Sequence, residues 1–101
     1  MRKTIVRYET KPDRAEENKR LIENVFAELA TVAPEGFAYA SFQLDDGVSF
    51  IHVATETGEG EFRLPDLAAF KEFTAGIAER CNVQPNASGA TVVGSYRSFE
   101  E

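Results

Sequence analysis

His52 is the one histidine of this 101-residue chain, and an imidazole is the side chain best suited to proton transfer near neutral pH. Period-two alternation puts Tyr39, Ser41 and Gln43 on its strand face, across a hairpin. Arg7 and Glu9 of the first strand and Arg97 of the last can share that face. Two readings follow. His52 is a general base assisted by Tyr39 and Arg7, or these residues form a satisfied polar network that fixes how two sheets pair. A second group, Asn18, Tyr8 and Tyr96, brings polar tips among Phe26, Phe42, Phe70 and Phe73. A small aromatic ligand would meet there a mostly apolar wall with a few hydrogen-bonding groups. The competing reading is a filled core whose tyrosine hydroxyls reach backbone or solvent.

Other residues carry weaker chemistry. Cys81 follows Arg80, but it lies on an apolar stripe near a helix C-terminus, where the dipole disfavours a thiolate, so an inert core cysteine is expected. Gly58-x-Gly60 is flanked by glutamates and lacks a third glycine, which argues against phosphate cradling. Asp45 and Asp46 are accounted for by turn chemistry. One cysteine forms no internal disulfide, and one histidine without cysteine pairs builds no structural zinc site. Neither metal nor cofactor is expected.

The elements that must position these residues follow from periodicity. Lys3–Thr10 reads as a strand. Pro12-Asp13-Arg14-Ala15-Glu16 has the form of a capping box, opening a helix to about Val32 whose stripe is Ala15, Asn18, Leu21, Ile22, Val25, Phe26 and Leu29. Phe37–Asp45 and Val48–Thr57 are strands joined by a two-residue type I′ turn at Asp46-Gly47. That register separates Ala38, Ala40, Phe42, Leu44, Ile51 and Val53, expected to face the helices, from Phe37, Tyr39, Ser41, Gln43, Phe50, His52 and Ala54 on the other side. Pro65-Asp66 opens a second helix with stripe Leu67, Phe70, Phe73, Thr74, Ile77 and Cys81, in which Gly76 suggests close backbone packing against the sheet. Asn82–Gly89 reads as a loop and Ala90–Phe99 as the final strand.

The order β-α-β-β-α-β predicts a single α+β domain over residues 1–101 with a ferredoxin-like, four-stranded antiparallel sheet and two helices on one face. On the far face Ile5, Phe37, Tyr39, Phe50, Val93 and Phe99 would be wet in a monomer, so a homodimer burying sheet against sheet is expected. Net charge of −6 opposes a nucleic-acid partner, although residues 1–20 carry seven basic side chains against four acidic ones, read as a solvated, salt-bridged first helix. No apolar run is long enough for a signal peptide or a membrane span, so a cytoplasmic location is expected.

The segments Thr4-Ile5-Val6-Arg7-Tyr8, Ile22 to Leu29, Asp46 to Val53 and Val93-Gly94-Ser95-Tyr96-Arg97 resemble the dimeric α/β-barrel superfamily, which includes the antibiotic-biosynthesis-monooxygenase-like domains. They also resemble a group of short uncharacterised bacterial proteins of this fold. The resemblance implies two sheets paired face to face, and among possible activities a cofactor-independent oxygenation of a quinol-like or small aromatic molecule. A noncatalytic binding or dimerisation module is the alternative. The tryptophan on which the quinol oxygenases and the haem-degrading branch rely is absent, and the second helix carries no histidine. No catalytic residue of either branch therefore transfers by position.

Overall fold

A computed structural model describes residues 2–57 and 62–98; the Gly58-x-Gly60 motif lies outside them. Strand β1 (Arg2–Thr10) leads through a 3-10 turn at Pro12–Arg14 into α1 (Ala15–Val32). Strands β2 (Phe37–Gln43) and β3 (Ser49–Glu56) follow, then a 3-10 turn at Leu64–Asp66. Helices α2 (Ala68–Ala75) and α3 (Ile77–Arg80) precede β4 (Cys81–Ala90). The sheet is antiparallel with order β2-β3-β1-β4, so the ferredoxin-like arrangement expected from the pattern is the one formed.

Helix α1 buries the stripe read from its period, with Ala15, Asn18, Ile22 and Val25 inside and Leu21, Phe26 and Leu29 packed beside them. Its start differs from expectation, since no side chain caps either the 3-10 turn or α1. Helix α2 is instead capped from α1, where the Glu28 carboxylate accepts the Ala69 amide at 2.8 Å. Gly76 interrupts the second helical segment rather than packing on the sheet; a Cβ there would stand 3.4 Å from Nη1 of Arg80.

The hairpin has the expected register, Ser41 opposite His52 and Phe42 opposite Ile51, but reaches it through a different turn. Only Gly47 of the turn has positive φ (80°), whereas a type I′ turn needs it at Asp46 too. Asp46 Oδ1 instead accepts the Val48 and Ser49 amides at 2.9 and 2.8 Å, and Oδ2 accepts the Ser49 hydroxyl. These bonds hold the Asp46 carboxyl below its ordinary pKa.

The two faces divide as predicted but point the opposite way. Phe37, Tyr39, Ser41, Phe50 and His52 face the helices together with Val6 and Tyr8 of β1, which pair with His52 and Phe50. Ala38, Ala40, Phe42, Ile51 and Val53 face outward with Ile5, Arg7 and Glu9. The cause is volume. Large rings fill the space between helices and sheet, burying far more apolar area than the alanines opposite them, and His52 meets its polar requirement internally.

The last strand also lies elsewhere. Asn82–Gly89, expected as a loop, is most of β4, and residues 91–98 follow as non-strand chain. An edge strand hydrogen-bonds on one side only, so it tolerates Pro85, and the register shifts in its pairing with β1 near Arg7 and Glu9.

Candidate functional site

Members of the two groups proposed from sequence meet in one place. Tyr8 comes from β1, Asn18 from α1, Tyr39 and Ser41 from β2, and His52 from β3. Alternation aims the strand residues at the helices, and the α1 stripe aims Asn18 at the sheet. His52, 4% exposed, has both ring nitrogens engaged. Nε2 lies 2.7 Å from the Tyr8 hydroxyl, while Nδ1 lies 2.7 Å from Ser41 Oγ and 2.9 Å from the Tyr39 hydroxyl. Asn18 Nδ2 donates to the Tyr8 hydroxyl at 2.9 Å. Beyond it Arg80, 1% exposed, donates from Nε to Asn18 Oδ1 at 3.1 Å and from Nη2 to the Phe73 carbonyl at 2.6 Å.

Aromatic rings enclose this chain of polar groups. Tyr8 stacks on Phe50 and on His52 with centroids 5.6 and 5.3 Å apart, and the Arg80 guanidinium lies over the Phe73 ring at 5.3 Å. Burial dominates the electrostatics. It lowers the His52 pKa to about 4, so the imidazole is neutral at pH 7. The same desolvation raises Tyr39 to about 12 and Tyr8 further, and pulls Arg80 down. All these groups except Arg80 are thus held uncharged.

A cleft of about 1120 Å³ opens between this wall and the second helical segment. Tyr8, Tyr39 and His52 line it on the sheet side, Arg2, Glu35, Glu56 and Arg63 place charge on its wall, and Phe37, Phe62 and Phe70 supply much of its apolar lining.

Four expected members lie elsewhere. Arg7 is exposed on the outward face, because β1 alternation sends it opposite to Tyr8. Phe42, 39% exposed, faces outward for the same reason on β2. Tyr96 is 81% exposed and Arg97 lies beside it, its guanidinium 5.2 Å from the Tyr96 ring, both beyond the end of β4. Nor does His52 point away from the helices, since the face that carries it is the inner one. Cys81 is buried and its thiol pKa is raised by burial, as suits an inert core cysteine. Arg80 entered the sequence reading only as its neighbour. The signal was present: Phe73, Ile77 and Arg80 lie four and three residues apart, which sets a charge on an apolar stripe.

The fold and the cleft define an α+β protein with a concave, aromatic site between sheet and helices. Solved structures share this architecture. A Mycobacterium tuberculosis protein superposes with a TM-score of 0.73 at 14% identity, covering 93% of this chain and 96% of its own. A candidate antibiotic biosynthesis monooxygenase from Nitrosomonas europaea gives 0.72 at 16% identity over 91% and 89%. A second Nitrosomonas europaea protein, of unknown function, gives 0.67 at 16% identity over 94% and 91%. The chain therefore has the fold of the antibiotic-biosynthesis-monooxygenase-like proteins, several of them uncharacterised. No family profile and no curated protein matches the sequence.

Proposed function

We propose that the cleft takes up a small, flat, hydroxyl-bearing aromatic molecule and that the protein oxygenates it without a cofactor. The observation carrying this reading is the convergence of Tyr8, Tyr39 and His52 on one wall of a cleft of about 1120 Å³ that also presents the rings of Phe37, Phe62 and Phe70, with Arg2, Glu35, Glu56 and Arg63 among its charged lining. Phe37, Phe62 and Phe70 offer ring faces for stacking, and Tyr39 offers a hydrogen bond to a ring oxygen. In such a reaction the substrate anion is the reductant. A dihydroxyaromatic becomes a hydroxyquinone: one ring C–H is replaced by C–OH and the two ring hydroxyls become carbonyls, one atom of O2 enters the product and the other leaves as water, and all four electrons come from the substrate. Likeness in fold to proteins named for monooxygenation favours this chemistry over others.

Oxygen uptake with a panel of reduced dihydroxyaromatics tests it. Uptake matched by product, reduced about tenfold or more in Tyr39→Phe, is the expected result. Binding without uptake supports the second reading, a noncatalytic binding module. That reading is favoured by His52, whose two nitrogens are already engaged and whose proton affinity is low. Neither binding nor uptake removes both.

We also infer that two copies pair through the outward sheet face, where Ile5, Ile51 and Val53 sit on the two central strands. Among the described residues no helix is long and apolar enough to cross a membrane.

A further inference from the structure

We infer that Arg80, acting through Asn18 and Tyr8, fixes the tautomer of His52 and leaves Tyr39 as a hydrogen-bond donor facing the cleft, so that the cleft selects aromatic ligands bearing an oxyanion, a phenolate or a carboxylate. The ligand half rests on the cleft reading proposed above; the tautomer half stands without it.

The argument starts from a residue that can only donate. A guanidinium has no acceptor, so the Asn18 atom 3.1 Å from Arg80 Nε is the amide oxygen, and the orientation of the Asn18 amide is settled. Its Nδ2 then faces the Tyr8 hydroxyl at 2.9 Å and must donate to it. Tyr8 has one proton to give. Its hydroxyl is buried, and among the described residues its two partners are Asn18 and His52. Were His52 Nε2 protonated, it too would donate to Tyr8, and the proton of Tyr8, a side chain 1% exposed, would have no acceptor among these groups. The Tyr8 hydroxyl therefore donates to Nε2 at 2.7 Å, and the imidazole proton sits on Nδ1.

That proton faces Ser41 Oγ and the Tyr39 hydroxyl, 2.7 and 2.9 Å away. Neither hydroxyl can donate to a nitrogen that carries hydrogen. Tyr39 lines the cleft and its hydroxyl also meets that of Ser41, so its own proton turns either to Ser41 Oγ or to a ligand in the cleft. All donors along this path point the same way, from the guanidinium toward the cleft, and such bonds polarise one another. Among the described residues the ion pair within 4 Å is Arg14 with Glu17, at 2.6 Å, so Arg80 has no direct ion-pair partner and the Glu17 carboxylate opposes its charge only from farther away. A buried cation backing a row of donors that ends at Tyr39 favours a negative oxygen at that end, with Arg2 and Arg63 of the cleft wall adding to this preference and Glu35 and Glu56 opposing it.

Because His52 is the sole histidine, 15N-histidine labelling gives one pair of ring-nitrogen resonances. Near pH 7 the expected spectrum has Nδ1 protonated and Nε2 bare. In Asn18→Asp the carboxylate accepts from both Arg80 and Tyr8, which turns the Tyr8 hydroxyl around and moves the ring proton to Nε2. A protonated Nε2 in the wild-type protein overturns the inference, and so does a folded Asn18→Asp protein whose tautomer is unchanged. Should Asn18→Asp fail to fold, the wild-type spectrum alone decides.

The ligand end is read with para-nitrophenol, its binding by calorimetry and its ionisation by visible absorbance. The bound phenol should have a pKa about one unit lower than the free one, a tenfold gain in ionisation, lost in Tyr39→Phe. A phenol bound in neutral form overturns the oxyanion selection. No heat of binding, with Nδ1 protonated, removes the cleft reading and the ligand half while the tautomer assignment stands.

Discussion

His52 stores a pH dependence. Its pKa is about 4 in the folded protein against 6.5 when unperturbed, so between those values the unfolded chain binds more protons than the folded one. Stability from this residue is complete above pH 6.5 and is lost as pH falls toward 4, by roughly 3 kcal/mol in all. Denaturant midpoints measured from pH 7 to pH 5, where carboxylates are still ionised, should fall in the wild-type protein and stay flatter in His52→Gln. Equal slopes in the two proteins would show that the imidazole is not buried as described. Asn18 and Arg80 make a complementary pair of substitutions. Asn18→Ala leaves a buried guanidinium without its acceptor, and should destabilise by about 3 kcal/mol. Arg80→Met removes the charge itself and replaces it with apolar volume, so urea unfolding should change by about 1 kcal/mol or less. The reverse ranking would mean that Arg80 is held by something other than Asn18 and the Phe73 carbonyl.

Turn and edge carry the contrast between what the sequence makes legible and what it hides. Gly47 was readable, because Asp-Gly between alternating strands signals a hairpin, and the register follows from it. Its φ of 80° lies in the left-handed region, with open space where a Cβ would go. Gly47→Ala should therefore cost roughly 1 kcal/mol through backbone strain alone, seen as a lower thermal midpoint with unchanged hairpin register by NMR. A neutral substitution would mean that the turn relaxes to another type. The orientation of the hairpin was harder to read. Alternation tells which residues share a face but not which face meets the helices, and both faces of β2 and β3 contain apolar residues. Side-chain volume was the deciding quantity: Phe37, Tyr39 and Phe50 are large, Ala38 and Ala40 small. Strand β4 was hidden for a different reason. Asn82, Pro85, Asn86 and Gly89 are turn formers, and only its place at the sheet edge makes them acceptable as strand. The apolar Val92-Val93 that follows looked more like strand than the strand itself. Tyr8, Asn18, Tyr39 and His52 came together; Arg7 and Phe42 lie on the same periodic strands but on the opposite face, and Tyr96 and Arg97 lie beyond the end of β4.

At the scale of the whole molecule, a four-stranded sheet with helices on one face leaves its other face to be covered. Ile5, Ile51 and Val53 lie at the centre of that face, and beyond the end of β4 Val93 and Tyr96 are exposed. A face of this kind is costly to leave in water, and closed twofold pairing is the commonest way to cover it. Light scattering at micromolar concentration should return twice the chain mass, and Ile51→Lys should return the single-chain mass. A lysine at that position points away from Tyr8, Phe50 and His52, because neighbouring residues on a strand face opposite ways. The far-ultraviolet spectrum and the His52 ring resonances should therefore be unchanged in the variant. Wild-type protein that runs as a monomer would end the pairing proposal. The same variant separates pairing from ligand uptake. The cleft lies on the helix side of the sheet and the proposed interface on the other, so monomeric Ile51→Lys should bind para-nitrophenol with the affinity of the wild type. Loss of binding together with the dimer would instead mean that the cleft takes part of its wall or its rigidity from the partner copy.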